Sequence, residues 1–104
     1  MTDEELVDES ILAELFAIIE SRRDGDPATS YTAKLFKKGK RKIAQKVGEE
    51  ACETVIAGVS QTPEDLVAES ADLIYHLMVL WAKREVRPED VYAELKRRRI
   101  LKER

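Results

Sequence analysis

The chain has little to spend on covalent or aromatic stabilisation. It holds one cysteine, Cys52, one histidine, His76, and only 6 % aromatic residues in 104. A lone cysteine excludes an internal disulfide framework and fits a reducing compartment. With no second Cys or His at ligand spacing, zinc chemistry is excluded as well. The longest apolar run, Leu73 to Ala82, is broken by His76 and is too short to span a bilayer. The first residues, MTDEELVDE, are acidic and carry no apolar signal-peptide core. A net charge of −3 is too mild to argue for nucleic acid or an anionic membrane as the main partner. The expectation is a soluble cytoplasmic protein, with no membrane and no nucleic acid among its partners. Strand-like alternation is missing too, as are internal repeats and long linkers, which leaves an all-α chain.

What is present reads as about five helices. Ile11, Leu12, Leu15, Phe16, Ile18 and Ile19 recur at helical spacing, predicting a first helix over roughly residues 5–22. The breaker cluster Arg23-Asp24-Gly25-Asp26-Pro27 ends it. Thr29 or Ser30 can cap a short second helix that runs to Lys38 and stops at Gly39. A third helix follows from Lys40 to about Val59, with Ile43, Val47, Ala51, Thr54 and Val55 facing inward. Gly48 lies inside it and hints at the close approach of a neighbour or a ligand. Thr62-Pro63-Glu64-Asp65 starts a fourth helix, running to about Glu85. Its second half, LIYHLMVLWA, is apolar on nearly every face, so burial on all sides is expected, in a core or at a subunit interface. Arg87-Pro88-Glu89-Asp90 starts a fifth helix that ends in Lys96-Arg97-Arg98-Arg99. One domain covering residues 1–104 is expected. Its core would be thin, and association would extend it.

Two acidic pairs stand out on this frame, Glu50-x-x-Glu53 and Glu69-x-x-Asp72. A spacing of three puts each pair on one helix face, where like charges repel. Lys46, Glu50 and Glu53 form a row beside the apolar stripe of the third helix. Glu69, Asp72 and His76 form a row beside the Leu66/Leu73/Leu77 stripe of the fourth. Antiparallel packing of the two helices brings the rows together. Carboxylates at the rim of a core are costly unless paired or metal-bound. Four carboxylates make a hard, all-oxygen site, which suits Mg²⁺, with Mn²⁺ as a substitute. Each pair taken singly also fits an ordinary solvated helix face. A di-iron site wants Glu-x-x-His, and Asp72 stands where that His would be. His76 is therefore read as a core residue or a neighbour of the ligands.

A basic stretch runs into this acidic patch. Lys34, Lys37, Lys38, Lys40, Arg41, Lys42 and Lys46 lie in a segment, Pro27 to Gly48, that has no acid. Metal for some oxygens and lysine for others is what a polyphosphate needs. Lys38, Lys42 and Lys46 are the candidates for phosphate. Glu49 borders the patch and is the candidate catalytic residue, as general base or as a further ligand. Tyr31 and Tyr75 offer faces for a base, and each fits a core or interface role equally well.

Three segments carry a resemblance: Ser30-Tyr31-Thr32-Ala33-Lys34-Leu35, the run Lys46-Val47-Gly48-Glu49-Glu50-Ala51-Cys52-Glu53, and Glu69-Ser70-Ala71-Asp72-Leu73-Ile74-Tyr75-His76-Leu77. Over about residues 10–100 the chain resembles the phosphoribosyl-ATP pyrophosphatases, members of the all-α, MazG-like nucleoside triphosphate pyrophosphatases. The acidic pattern alone marks the superfamily; the SYTAKL and KVGEE segments mark the family. The resemblance implies Mg²⁺-dependent hydrolysis of 1-(5-phosphoribosyl)-ATP to 1-(5-phosphoribosyl)-AMP and pyrophosphate, the second step of histidine biosynthesis. It also implies a homodimer whose helices complete a bundle across the interface. The cyclohydrolase often fused to such enzymes is not expected in a chain this short. The alternatives are a house-cleaning pyrophosphatase of nucleoside triphosphates or deoxynucleoside triphosphates with the same metal site, and a non-enzymatic dimeric helical adaptor.

Overall fold

The computed structural model describes residues 7–99. Five helices follow one another: α1 (Ser10–Ser21), α2 (Tyr31–Lys38), α3 (Lys40–Ser60), α4 (Pro63–Lys83) and α5 (Pro88–Arg98). No strand occurs among the described residues, so the fold is all-α. No described helix is long and apolar enough to cross a membrane.

Local chemistry sets the boundaries. Residues 5 and 6 of the predicted first helix lie outside the described part, and 7–9 are not helical. The Asp8 carboxylate accepts from the Ser10 amide at 2.9 Å, a local bond that competes with continuing the helix. Ser30 is the cap of α2, accepting from the Ala33 amide at 3.1 Å. Gly39 separates α2 from α3 at φ +94°, a conformation that side chains rarely adopt. Thr62 and Asp65 cap α4 reciprocally: the Asp65 amide donates to Thr62 Oγ1 at 3.1 Å, and the Thr62 amide donates to Asp65 Oδ2 at 3.3 Å. α4 ends at Lys83, two residues before the sequence reading put its end. There the Val86 amide reaches back to the Trp81 carbonyl at 2.8 Å, and Glu85 takes φ +61°. This is the Schellman stop, made with a residue that is strained in that conformation.

The core is one apolar cluster. α3 and α4 pack along their length as an antiparallel pair. α1 and α2 lie against α4, α2 also touches α3, and α5 rests on α1. Phe16 and Ile19, Leu35 and Phe36, Ile43, and Met78, Val79 and Ala82 fill the centre. Arg23 reaches from the α1–α2 turn to donate to the Ala82 carbonyl, and its guanidinium lies 5.0 Å over the Phe36 ring.

One expectation takes a definite form and two need correcting. Within the protomer α4 is not buried all round. Ile74 is 42 % exposed, and Leu73, Leu77, Leu80 and Trp81 are only half-buried. Neighbouring helices cover one side of α4, and the described chain has too few of them to cover the other. Val55, assigned inward, is 64 % exposed. It lies where the α3–α4 pair extends past the other helices, with Ile56, Val59, Leu66 and Val67 exposed beside it. Gly48 has no protein neighbour close by, since a Cβ there would meet nothing within 4 Å.

The strained stop generates a test. Glu85→Gly removes the left-handed penalty at φ +61° and adds flexibility to the unfolded chain. The balance is a gain of about 0.5–1 kcal/mol in stability, read by urea denaturation. Ile43→Ala, at a side chain with no exposure, is expected to cost about 2–5 kcal/mol in the same assay.

Candidate active site

The site is built on the α3–α4 pair. Glu50 projects from the buried side of α3 and is only 8 % exposed. Glu69 and Asp72 project from α4 on adjacent turns, half-buried and exposed respectively. One carboxylate oxygen from each of the three lies within 4.8 Å of the others. Thr54 Oγ1 stitches the helices together at this level. It sits 2.8 Å from the Glu50 carbonyl and 3.2 Å from the Glu69 carbonyl, one proton between two acceptors.

The electrostatics of the cluster are unbalanced. Glu50 Oε2 is buried with no hydrogen-bond partner. Burial, and then the nearby Glu53 carboxylate, push the Glu50 pKa above the ordinary value. Glu69 is also raised, by desolvation first and then by Glu53 and Asp72. Glu53 is exposed and outside this group of three, and its charge helps raise both Glu50 and Glu69. Such a group of oxygens, with an orphaned buried atom among them, fits a hard divalent cation.

The remaining sequence candidates fall into distinct places. Lys46 Nζ lies 3.4 Å from Glu49 Oε1 and 3.7 Å from Glu50 Oε1, at the edge of the cluster. Its pKa is raised, by Tyr31 before its two glutamates. Glu49 points outward, accepting from Gln45 Nε2 at 2.8 Å, and that bond with the Lys46 contact holds its pKa low. Lys42 is half-buried one turn earlier and also lowers Glu49. Lys38, at the end of α2, is exposed and makes no ion pair among the described residues.

His76 is buried, and both its nitrogens are engaged. Nδ1 lies 2.8 Å from the Asp72 carbonyl, which only accepts, so Nδ1 carries a proton. In the neutral ring Nε2 then accepts from the Tyr31 hydroxyl at 2.9 Å. Thr32 and Tyr75 form a second hydroxyl pair next to it. These bonds dock α2 onto the α4 turn that carries Asp72. Sequence reasoning left them out, because contacts between residues 43 and 45 positions apart leave no local pattern. The clefts at the α1–α5 junction and the α1–α2 turn are lined by other residues.

A Glu-x-x-Glu helix laid antiparallel to a Glu-x-x-Asp helix, in an all-α chain, is the layout of the MazG-like nucleoside triphosphate pyrophosphatases. Within that class the comparisons are specific. The profile of a family described as phosphoribosyl-ATP pyrophosphohydrolase matches residues 12–99. A phosphoribosyl-ATP pyrophosphatase of Paramagnetospirillum magneticum is 58 % identical over 91 residues, 88 % of this chain and 84 % of the relative. The protein of that name from Rhodospirillum rubrum is 59 % identical over 88 residues, 85 % of this chain and 75 % of its own. An archaeal relative of the same name, from Saccharolobus solfataricus, is 51 % identical over 89 residues, 86 % of this chain and 95 % of its own. The chain belongs to the phosphoribosyl-ATP pyrophosphohydrolase family.

The raised carboxylates set the expected response to protons. A group whose folded pKa is raised binds its proton more tightly when folded. Metal-free protein therefore gains stability as pH falls through the interval above the ordinary carboxylate value, and loses it as pH rises. Glu50→Gln removes Glu50's share of that slope. It should leave the metal-free melting temperature equal or higher near neutral pH, because a buried unpartnered charge is gone. Thermal melts of both proteins across pH check this. A divalent cation should raise the wild-type melting temperature more than that of the variant.

Proposed function

We propose that this chain hydrolyses 1-(5-phosphoribosyl)-ATP to 1-(5-phosphoribosyl)-AMP and pyrophosphate, the second step of histidine biosynthesis. Family membership supports the substrate. The observation that carries the chemistry is the orphaned, buried Oε2 of Glu50, whose carboxylate clusters with those of Glu69 and Asp72. Glu50, Glu53, Glu69 and Asp72 are the residues that would hold Mg²⁺, with Mn²⁺ able to replace it. When bound, Mg²⁺ supplies neutralising charge for the triphosphate and for the pyrophosphate that leaves.

The chain's own groups do the rest. Lys46, beside Glu49 and Glu50, binds phosphate oxygens, together with Lys42 one turn earlier on the same helix and Lys38 at the end of α2. Water forms its bond to phosphorus in line as the α–β linkage breaks, and the bridging oxygen leaves with pyrophosphate. Glu49 takes the water's proton or adds a further carboxylate; its lowered pKa favours the second role. Lysine contacts that tighten as charge moves to the leaving oxygens lower the barrier. His76 keeps the Asp72 turn in register through its backbone contact.

The working form in this reading is a cytoplasmic homodimer. The exposed row Val55, Ile56, Val59, Leu66, Val67 and Ile74 is too apolar to face water along its length. The radius of gyration is 15.4 Å, against about 13 Å for a compact chain of this length. A second copy of the α3–α4 pair covers the row and completes a four-helix bundle.

Pyrophosphate release from phosphoribosyl-ATP, with and without Mg²⁺, tests the function. The expected result is Mg²⁺-dependent turnover with kcat/KM far above that on ATP, since remote binding energy is usable in the transition state. Comparable rates on a panel of deoxynucleoside triphosphates would favour the house-cleaning reading. Asp72→Asn and Glu50→Gln should lose most turnover at saturating Mg²⁺, and Glu14→Gln on α1 should keep it. Sedimentation is expected to show a dimer; a stable folded monomer at micromolar concentration would reject the assembly.

A further inference from the structure

The reaction leaves the purine of the substrate without a reader. Tyr31 has the form of one. It is the first residue of α2, directly after the Ser30 cap, so its backbone is fixed. Its hydroxyl is held 2.9 Å from His76 Nε2. One side of its ring lies against Tyr75, with centroids 6.2 Å apart and planes 28° apart, and the His76 ring meets it at near a right angle, 5.9 Å away. With its tip and one face engaged, Tyr31 is still 50 % exposed. The His76 ring that holds this hydroxyl is bonded through Nδ1 to the carbonyl of Asp72, one of the three clustered carboxylate residues, at 2.8 Å. An aromatic face is thus held rigidly, left open, and set at the edge of the carboxylates.

We propose that the open face of Tyr31 is the platform on which the substrate's adenine stacks, with the His76 hydrogen bond and the Tyr75 ring fixing its orientation. This deepens the reading of the acidic cluster as a nucleotide pyrophosphatase site and rests on it. Stacking on a ring already immobilised loses little side-chain entropy on binding. It suits any purine, so it provides hold on the base, while the phosphates are read by charge.

Three substitutions separate a stacking role from a merely structural one. Tyr31→Leu removes the aromatic face and the hydroxyl. Tyr31→Phe keeps the face and loses the hydroxyl. Tyr31→Trp restores an aromatic face without a phenol. For pyrophosphate release from phosphoribosyl-ATP, Tyr31→Leu should raise KM roughly 10- to 100-fold, with kcat falling far less. Tyr31→Phe should raise KM much less than Tyr31→Leu does, and Tyr31→Trp should recover most of the loss. Equal losses in Tyr31→Leu and Tyr31→Phe would mean that the hydroxyl's grip on His76 is the whole contribution, and would overturn the platform. A fall confined to kcat would overturn it too. Binding of AMP, followed by calorimetry, reads the platform without turnover. Wild type that binds AMP more tightly than Tyr31→Leu, yet fails to cleave phosphoribosyl-ATP, would reject the reaction and keep the platform. Equal AMP affinity in folded wild type and Tyr31→Leu would reject the platform whatever the reaction.

Discussion

Carboxylates on two helices that should repel each other are held within a few ångströms by the apolar seam between α3 and α4. The rest of the structure follows from that constraint. The seam needs Ile43, Met78, Val79 and Ala82 in its centre, and these bury almost completely. It needs Thr54 to bond across at the level of Glu50 and Glu69, so that the two backbones meet at a fixed register. The energy of burial at the centre offsets the repulsion at the rim. A site strained in this way gains most when a cation arrives, because charge neutralisation and release of repulsion act together.

The short second helix has an influence out of proportion to its length. Its apolar side, Ala33, Leu35 and Phe36, enters the core, while its first turn carries Tyr31 and Thr32 to hydroxyl contacts on α4. The gain from burying Leu35 and Phe36 therefore fixes where Tyr31 sits, and Tyr31 in turn fixes the ring of His76. Lys46, on the neighbouring helix, lies beside Glu49 and Glu50. A lysine, an aromatic surface and carboxylates are thus brought together on packed helices, with no loop needed to carry them.

Much of this was legible in the sequence because it is written in short-range chemistry. The caps at Ser30 and Thr62, the break at Gly39, and the acidic rows follow from spacing and side-chain type, and the helices lie within a few residues of where periodicity puts them. The start of α1 was less legible, since a side-chain bond from Asp8 competes with the helix. The end of α4 was misread because Glu85 adopts a conformation that sequence rules reserve for glycine. Val55 is exposed where an inward face is expected, and Ile74 is exposed within the protomer, since an apolar stripe states that something covers it without stating what. The Tyr31–His76 and Thr32–Tyr75 bonds were beyond reach, because only the packed fold brings those residues together.

The central claim is that Glu50, Glu69 and Asp72 form one cation site. It is tested most directly by a crystal soaked in Mn²⁺, with anomalous scattering recorded at the manganese edge. The expected map has a peak at bonding distance from Glu50 Oε2 and from oxygens of Glu69 and Asp72, with Glu53 turned toward it. A map with strong density for all four side chains and no anomalous peak between α3 and α4, while nucleotide is bound at the site, would contradict the account.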